Sequence, residues 1–396
     1  MRARRQRGLL LPAFALLLML GAIGLGVSLY HRASSTQIQT RAETAQSLAK
    51  AKALLRKYAQ SYQYTHTDNP IPGYMLCPDQ DGDGSAELSC DGAGGLSVGL
   101  FPYRTMGTPP LRDGSGECLW YAVSGAYKNS PTPTGGRMNW DALGQFSVQT
   151  PDGRLTFPIN RPLDRAVAVV IAAGPALPGQ TRPARNGAPC IGPGASSSVV
   201  AAYLESDFST PNSVQVTVLD ARASDTSFND QTAWLTPAEI FDGAFLRRSD
   251  FATGVIGTVL NVSVLNLSAP PTTMLPPPDD PVQIGNVEIG AIPLTLVPNP
   301  ASREAKLLKH WHSQFVYLRC IESASSTCLR TVRGDVCRGM LLFSGQASTA
   351  QDRTSGLAGE FFESNTQALT DPEDQMFAGN AAFDPARPYE DLAICL

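Results

Sequence analysis

The first thirty residues constrain this chain more than any other stretch. Arg2, Arg4, Arg5 and Arg7 precede an uncharged run, LLLPAFALLLMLGAIGLGVSLY, from Leu9 to Tyr30. About 22 apolar residues suffice to cross a hydrocarbon core of ~30 Å as one helix. The arginines predict that the start stays cytoplasmic and the rest of the chain lies outside. Pro12 falls in the first turn of such a helix, where a missing N–H costs little. Gly21, Gly24 and Gly26 loosen its far end or admit close helix packing.

The segment after the apolar run extends the same prediction. Neither Gly nor Pro occurs from Val27 to Asn69. Ile38, Ala42, Ala45, Leu48, Ala51, Leu55, Ala59 and Tyr62 recur at spacings of three and four, which puts them on one helical face. One helix over residues 9–63 would be roughly 80 Å long at ~1.5 Å per residue. Its outer half would lay an apolar stripe on a globular domain.

A short basic leader ending in Gly, an apolar helix and an amphipathic continuation resemble the type IV pilins and type II secretion pseudopilins of bacteria. The resemblance implies cleavage by a prepilin peptidase between Gly8 and Leu9, and packing of the apolar helices with other pilin-like subunits. It also implies an inner-membrane, single-pass topology with a periplasmic C-terminus. The family usually carries Glu at the fifth mature position, and Ala13 stands there in this chain. Some minor, tip-located subunits also lack it. A plain signal anchor and a cleaved secretory signal share the basic start and apolar core. Residues 99–127, GLFPYRTMGTPPLRDGSGECLWYAVSGAY, also resemble a segment of bacterial pilin-like membrane proteins.

Eight cysteines, Cys77, Cys90, Cys118, Cys190, Cys320, Cys328, Cys337 and Cys395, include no CxxC pair. An even count behind an export signal favours disulfides over zinc. Sequence proximity suggests Cys77 with Cys90 and Cys320 with Cys328. A net charge of −4, with Lys and Arg scattered beyond residue 60, points away from nucleic acid.

Between Cys77 and Cys90, Asp79, Asp81 and Asp83 alternate around Gly82 and Gly84. Alternating carboxylates in a tight turn open calcium loops, because a hard cation needs several oxygens. The EF-hand Glu is missing, since Cys90 stands at loop position 12, but Glu87 and Asp91 offer further oxygens. A solvated Asp/Gly turn closed by a disulfide explains the same residues. His310 and His312 form an H-x-H that shares one face only on a strand. Arg104, Arg112, Asp113 and Glu117 read as ion pairs setting turn geometry.

Strands are expected at Leu119–Ser124, Val167–Ala173, Val214–Leu219, Phe315–Cys320 and Met340–Phe343, and a weak one at Val255–Leu267. Thr236 to Glu239 forms a capping box with Pro237 at the first helical position, predicting a helix to about Arg248. A further helix is expected over 302–312. The fold class is therefore α+β. The long N-terminal helix packs on a mostly β, pilin-like domain, and a small disulfide-rich module follows. In segments this gives a basic leader at 1–8, the membrane helix and its extension at 9–66, the ectodomain at 67–267, a Pro-rich linker at 268–283 and a Cys-rich module at 284–396. No H-E-x-x-H or Walker motif is present, and four histidines leave few acid–base candidates, so the sequence points to a non-enzymatic envelope component. A signal-anchored binding or adhesion protein that never assembles is the alternative.

Overall fold

The computed structural model describes residues 10–132, 135–185, 187–191, 194–221, 227–297 and 299–396. From residue 10 to residue 36, the side chains described are those of Phe14, Met19 and Leu20. The expected processing residues Gly8 and Leu9 lie outside the described residues.

Helix α1 spans Leu10–Thr65, 56 residues without interruption. At ~1.5 Å per residue that is about 84 Å. The absence of Gly and Pro after Val27 permits this length, and Asn69-Pro70 ends it. Thr44, Leu48, Ala51, Leu55, Ala59 and Tyr62 are buried along one face. This stripe starts later than the sequence suggested. Ile38, Ala42 and Ala45 have the right spacing but are exposed, because here the helix turns Thr40 and Thr44 toward the domain at Gly114 and these three residues away from it. Phe14, Met19 and Leu20 are also exposed, at 67%, 66% and 58%.

The surface under α1 is an antiparallel sheet of β1 (Ser97–Leu100), β2 (Trp120–Val123), β4 (Ala168–Ala172) and β6 (Gln231–Leu235), ordered β1-β2-β4-β6. α1 lies on β4 and β6. Every residue of β2 and β4 is buried. Both faces of these strands are covered, and their near-continuous apolar sequence follows from that. A parallel pair, β3 (Phe146–Gln149) and β5 (Val216–Leu219), stands beside this sheet.

The second sheet runs β14-β12-β9-β8-β7. Its members are β7 (Asp279–Ile284), β8 (Val287–Ala291), β9 (Phe315–Cys320), β12 (Gly339–Phe343) and β14 (Leu392–Cys395), all antiparallel. Period-two alternation divides its apolar residues between two cores. Phe315, Tyr317, Leu341 and Phe343 join the main core, which also holds Trp120, Trp140 and Leu55. Leu318, Cys320, Met340 and Leu342 form a smaller cluster on the other face. That cluster is covered by β10 (Leu329–Thr331), β11 (Val336–Cys337) and β13 (Met376–Phe377).

The Pro-rich stretch at 268–283 is not a break in the core. It ends within β7, and Trp311 and Phe343 beyond it share the main core with Trp140 before it. Two other elements differ from expectation. The helix starting at Pro237 stops at Ile240, because Asp242 caps a new turn by accepting the Phe245 N–H at 2.8 Å. Residues 255–267 are helical and not a strand: a π-helical turn, Ala252–Gly257, leads into the helix Thr258–Leu267. Val259, Ser263 and Leu267 are buried at a spacing of four, so tertiary burial overrides the β-branched composition. Among the described residues, Ser249–Leu267 is long and apolar enough by composition to cross a bilayer. Its Phe251, Val255, Ile256, Val259 and Leu267 nevertheless belong to the main core.

Candidate functional site

Where α1 meets the domain, the contacts are made by residues the sequence marked as turn formers. Asp113 Oδ1 accepts the Ser115 and Glu117 N–H groups at 2.9 Å, and its Oδ2 accepts the Gly174 N–H at 2.9 Å. This holds a tight turn against the helix. The Gly114 N–H donates to Thr44 Oγ1 at 2.9 Å. A Cβ on Gly114 would lie 2.1 Å from the Thr40 carbonyl oxygen, so the close approach requires glycine. Arg112 donates to the Gly116 carbonyl, and Glu117 pairs with Arg185 at 2.5 Å and Arg182 at 3.6 Å. Gln37, Thr40, Arg41, Asp113, Pro175 and Asn229 line a cavity of about 470 Å³ at this shoulder.

Farther along, Lys52 pairs with Glu239 at 2.6 Å and Arg56 with Asp242 at 3.6 Å. Gln60 Nε2 donates to the Ile240 carbonyl at 2.8 Å. The short helices after Thr236 thus clamp the polar flank of α1 while its apolar stripe faces the sheet. Fully burying Leu48, Leu55 and Tyr62 contributes roughly 1.5–3 kcal/mol each. Helix and sheet are therefore packed together from Thr44 to Tyr62.

The acidic loop brings together Asp79, Asp81 and Glu87, whose carboxylate oxygens lie within 4.8 Å of one another. Asp83 stays outside this group, its Oδ1 accepting the Ser85 N–H at 2.6 Å. Asp91 is also elsewhere, accepting from Ser97 Oγ and from Gln80 Nε2. Asp79 is fully buried and accepts the Gly82 and Gly84 N–H groups at 2.7 and 2.8 Å. Glu87 Oε1 accepts the Gln80 and Asp81 N–H groups at 3.0 and 3.1 Å. Burial pushes the Asp79 carboxyl up to about 6 against the pull of those two N–H groups, and the charges of Asp81 and Asp83 add to the rise. A Cβ on Gly82 would lie 2.3 Å from the Ile191 carbonyl oxygen, at a backbone φ of +83°. The three carboxylates are a partial oxygen set for a hard cation that takes six to eight ligands. Backbone N–H groups already occupy much of that set.

His310 and His312 do not share a site. They lie at the end of the helix Arg303–Trp311 and in the turn after it. His310 Nδ1 accepts the Met138 N–H at 2.8 Å, and burial lowers its pKa to about 4. His312 Nε2 bonds the Ile292 carbonyl at 2.7 Å. A helix turns the two rings apart, which removes the metal reading of H-x-H.

All eight cysteines are paired, as Cys77–Cys90, Cys118–Cys190, Cys320–Cys328 and Cys337–Cys395. The first and third join near neighbours in sequence. The other two close loops of 72 and 58 residues, which proximity could not suggest. Such pairing points to an oxidising compartment.

One buried polar cluster had no signal in the sequence. Arg353 Nη1 donates to Asp141 Oδ2 at 2.8 Å and to Gln314 Oε1 at 3.0 Å, and Arg353 Nε to the Glu360 carbonyl at 3.1 Å. Gln314 Nε2 donates to Asp141 Oδ2 at 2.8 Å, and Ser344 Oγ to Gln314 Oε1 at 2.7 Å. Arg353 and Asp141 are 212 residues apart, a distance no local pattern spans. In comparisons with protein-family models, curated proteins and solved structures, nothing matches this chain.

Proposed function

We propose that this chain is a non-enzymatic, pilin-like minor subunit or pseudopilin-like component of a bacterial envelope filament or secretion system. One observation carries the reading: a single unbroken helix, Leu10–Thr65, is docked on a sheet from Thr44 onward, while Phe14, Met19 and Leu20 near its start are exposed. In this reading those exposed apolar residues face the lipid bilayer or the helices of neighbouring subunits. The docked half fixes how the domain stands on its stalk. The domain surface, tied by four disulfides, then serves for interaction in the periplasm.

Ala13, in place of the family's Glu, favours a second reading. Without a carboxylate for a neighbour's N-terminal amine, the chain remains a signal-anchored periplasmic binding or adhesion protein that does not assemble. Replacement Gly8→Val separates the two. A processed chain accumulates as the longer precursor in the variant and leaves the filament fraction. Identical size and distribution of variant and wild type would exclude the first reading.

A further inference from the structure

The geometry points to a binding site for a small hydroxylated organic carboxylate around Arg353, among the loops at 137–143, 313–314 and 353–361. A cavity of about 350 Å³ lies there, lined by Arg137, Asn139, Asp141, Ser313, Arg353 and Phe361 among others. That volume is at the lower end for small-molecule pockets, which run to roughly 300–1,000 Å³.

Arg353 is the central group. Its side chain is only 4% exposed, yet its hydrogen bonds among the described residues use Nε and Nη1 alone. Nη2 donates to no protein acceptor among those residues. The guanidinium carbon stands 5.0 Å from the centre of the Phe361 ring. Asp141 Oδ1 is its counterpart: a buried acceptor without a hydrogen-bond partner, on the carboxylate whose other oxygen holds Arg353. Buried polar groups are normally satisfied, so the leftover acceptor Asp141 Oδ1 calls for an explanation, and Arg353 Nη2 is a donor with no protein acceptor among the described residues. A ligand carrying a carboxylate and a hydroxyl supplies both partners at once.

Charge favours an anion. The lining holds Arg137, Arg353 and Asp141, two positive groups and one negative, and Arg137 is exposed with no ion-pair partner among the described residues. Arg137 is thus free to meet a carboxylate at the mouth. Leu143, Leu163 and Phe361 give the cavity an apolar wall. A compact sugar acid, with one carboxylate, several hydroxyls and an apolar ring face, matches these features. The site lies between the Asn139–Asp141 turn, the Ser313–Gln314 turn that precedes β9 and the Arg353 segment, so an occupant would also tie these loops together.

The test is isothermal titration of the full-length protein in detergent with D-glucuronate, D-glucose and inorganic phosphate. Glucuronate should bind, and glucose should bind at least about tenfold more weakly, because it lacks the charge that Arg353 and Arg137 receive. Phosphate should also bind more weakly, because it leaves the apolar wall unfilled. Arg353→Lys should weaken glucuronate binding about tenfold or more, since Lys cannot fill the guanidinium's place. That substitution also perturbs the buried pair with Asp141, so the exposed Arg137→Gln is the second variant, expected to fold normally and bind several-fold more weakly. No binding of glucuronate, equal binding of glucose or phosphate, or glucuronate binding unchanged in Arg137→Gln would each overturn the assignment.

Discussion

Trp140 and Trp311 meet edge to face with ring centroids 4.6 Å apart, and the proline-rich stretch 268–283 lies between them in sequence. Phe251 and Phe343 pack on the same pair. The two sheets therefore share a core. Trp311→Ala should cost about 3–5 kcal/mol. Urea unfolding followed by fluorescence and by far-ultraviolet circular dichroism should show one coincident transition at lower midpoint. Two separated transitions would mean that the second sheet is an independent module.

The disulfides should differ in worth. In the chain-entropy account, stabilisation grows with the loop closed. Cys118–Cys190 spans 72 residues and Cys320–Cys328 only 8. Replacing the first pair with serines should destabilise by about 4 kcal/mol and the second by about 2–3 kcal/mol. Thermal unfolding of both variants checks the order, which a larger loss for the short loop would reverse.

Docking of α1 should depend on the Gly114 contact. Gly114→Ala forces a Cβ against the Thr40 carbonyl, and Leu55→Ala opens a cavity under the stripe at about 2–5 kcal/mol. Hydrogen exchange should rise around residues 40–48 in the first variant and across the whole docked stretch in the second. Unchanged protection in Gly114→Ala would mean the turn gives way without loss.

Two buried groups set opposite pH dependences. His310 has a folded pKa of about 4, below its ordinary 6.5, so it is buried neutral. The stability it favours is full above about 6.5 and declines as pH falls toward 4. Asp391 is raised by burial first, and then by the charge of Glu363, to about 7, and its Oδ2 has no hydrogen-bond partner. Its ionisation opposes folding, and the penalty builds as pH rises from about 4 to about 7 and is complete above that. Asp391→Asn should raise stability by on the order of 3–4 kcal/mol at pH 8 and have little effect at pH 4. Melting curves at the two pH values decide it; an equal effect at both would exclude ionisation as the cause.

The sequence made the local features legible. A Gly- and Pro-free run gave α1, and alternation or short apolar runs gave β2, β4, β9 and β12. The Ser302 cap, accepting the Ala305 N–H at 3.1 Å, marked the helix Arg303–Trp311. Features set by long-range packing were not legible. Helical spacing says which residues share a face, but only the placement of the domain decides that Thr44 is buried while Ile38, Ala42 and Ala45 face away. The Val- and Leu-rich stretch Thr258–Leu267 reads as strand until the main core is known to bury every fourth residue. Aspartates at 79, 81 and 83 looked equivalent, yet the turn swings Asp83 away and brings Glu87 in. The Arg353–Asp141 pair left no trace, because nothing local distinguishes a buried arginine from a solvated one.

The pilin-like reading proposed above requires cleavage between Gly8 and Leu9, with the helix that follows serving as the anchor. Mass spectrometry of the N-terminus of protein recovered from membranes tests it most directly. On the pilin-like reading the chain begins at Leu9, with its amino group methylated. A chain beginning at Met1 or Arg2 would contradict it and leave a plain signal-anchored protein, and a start near residue 34 would remove the anchor altogether.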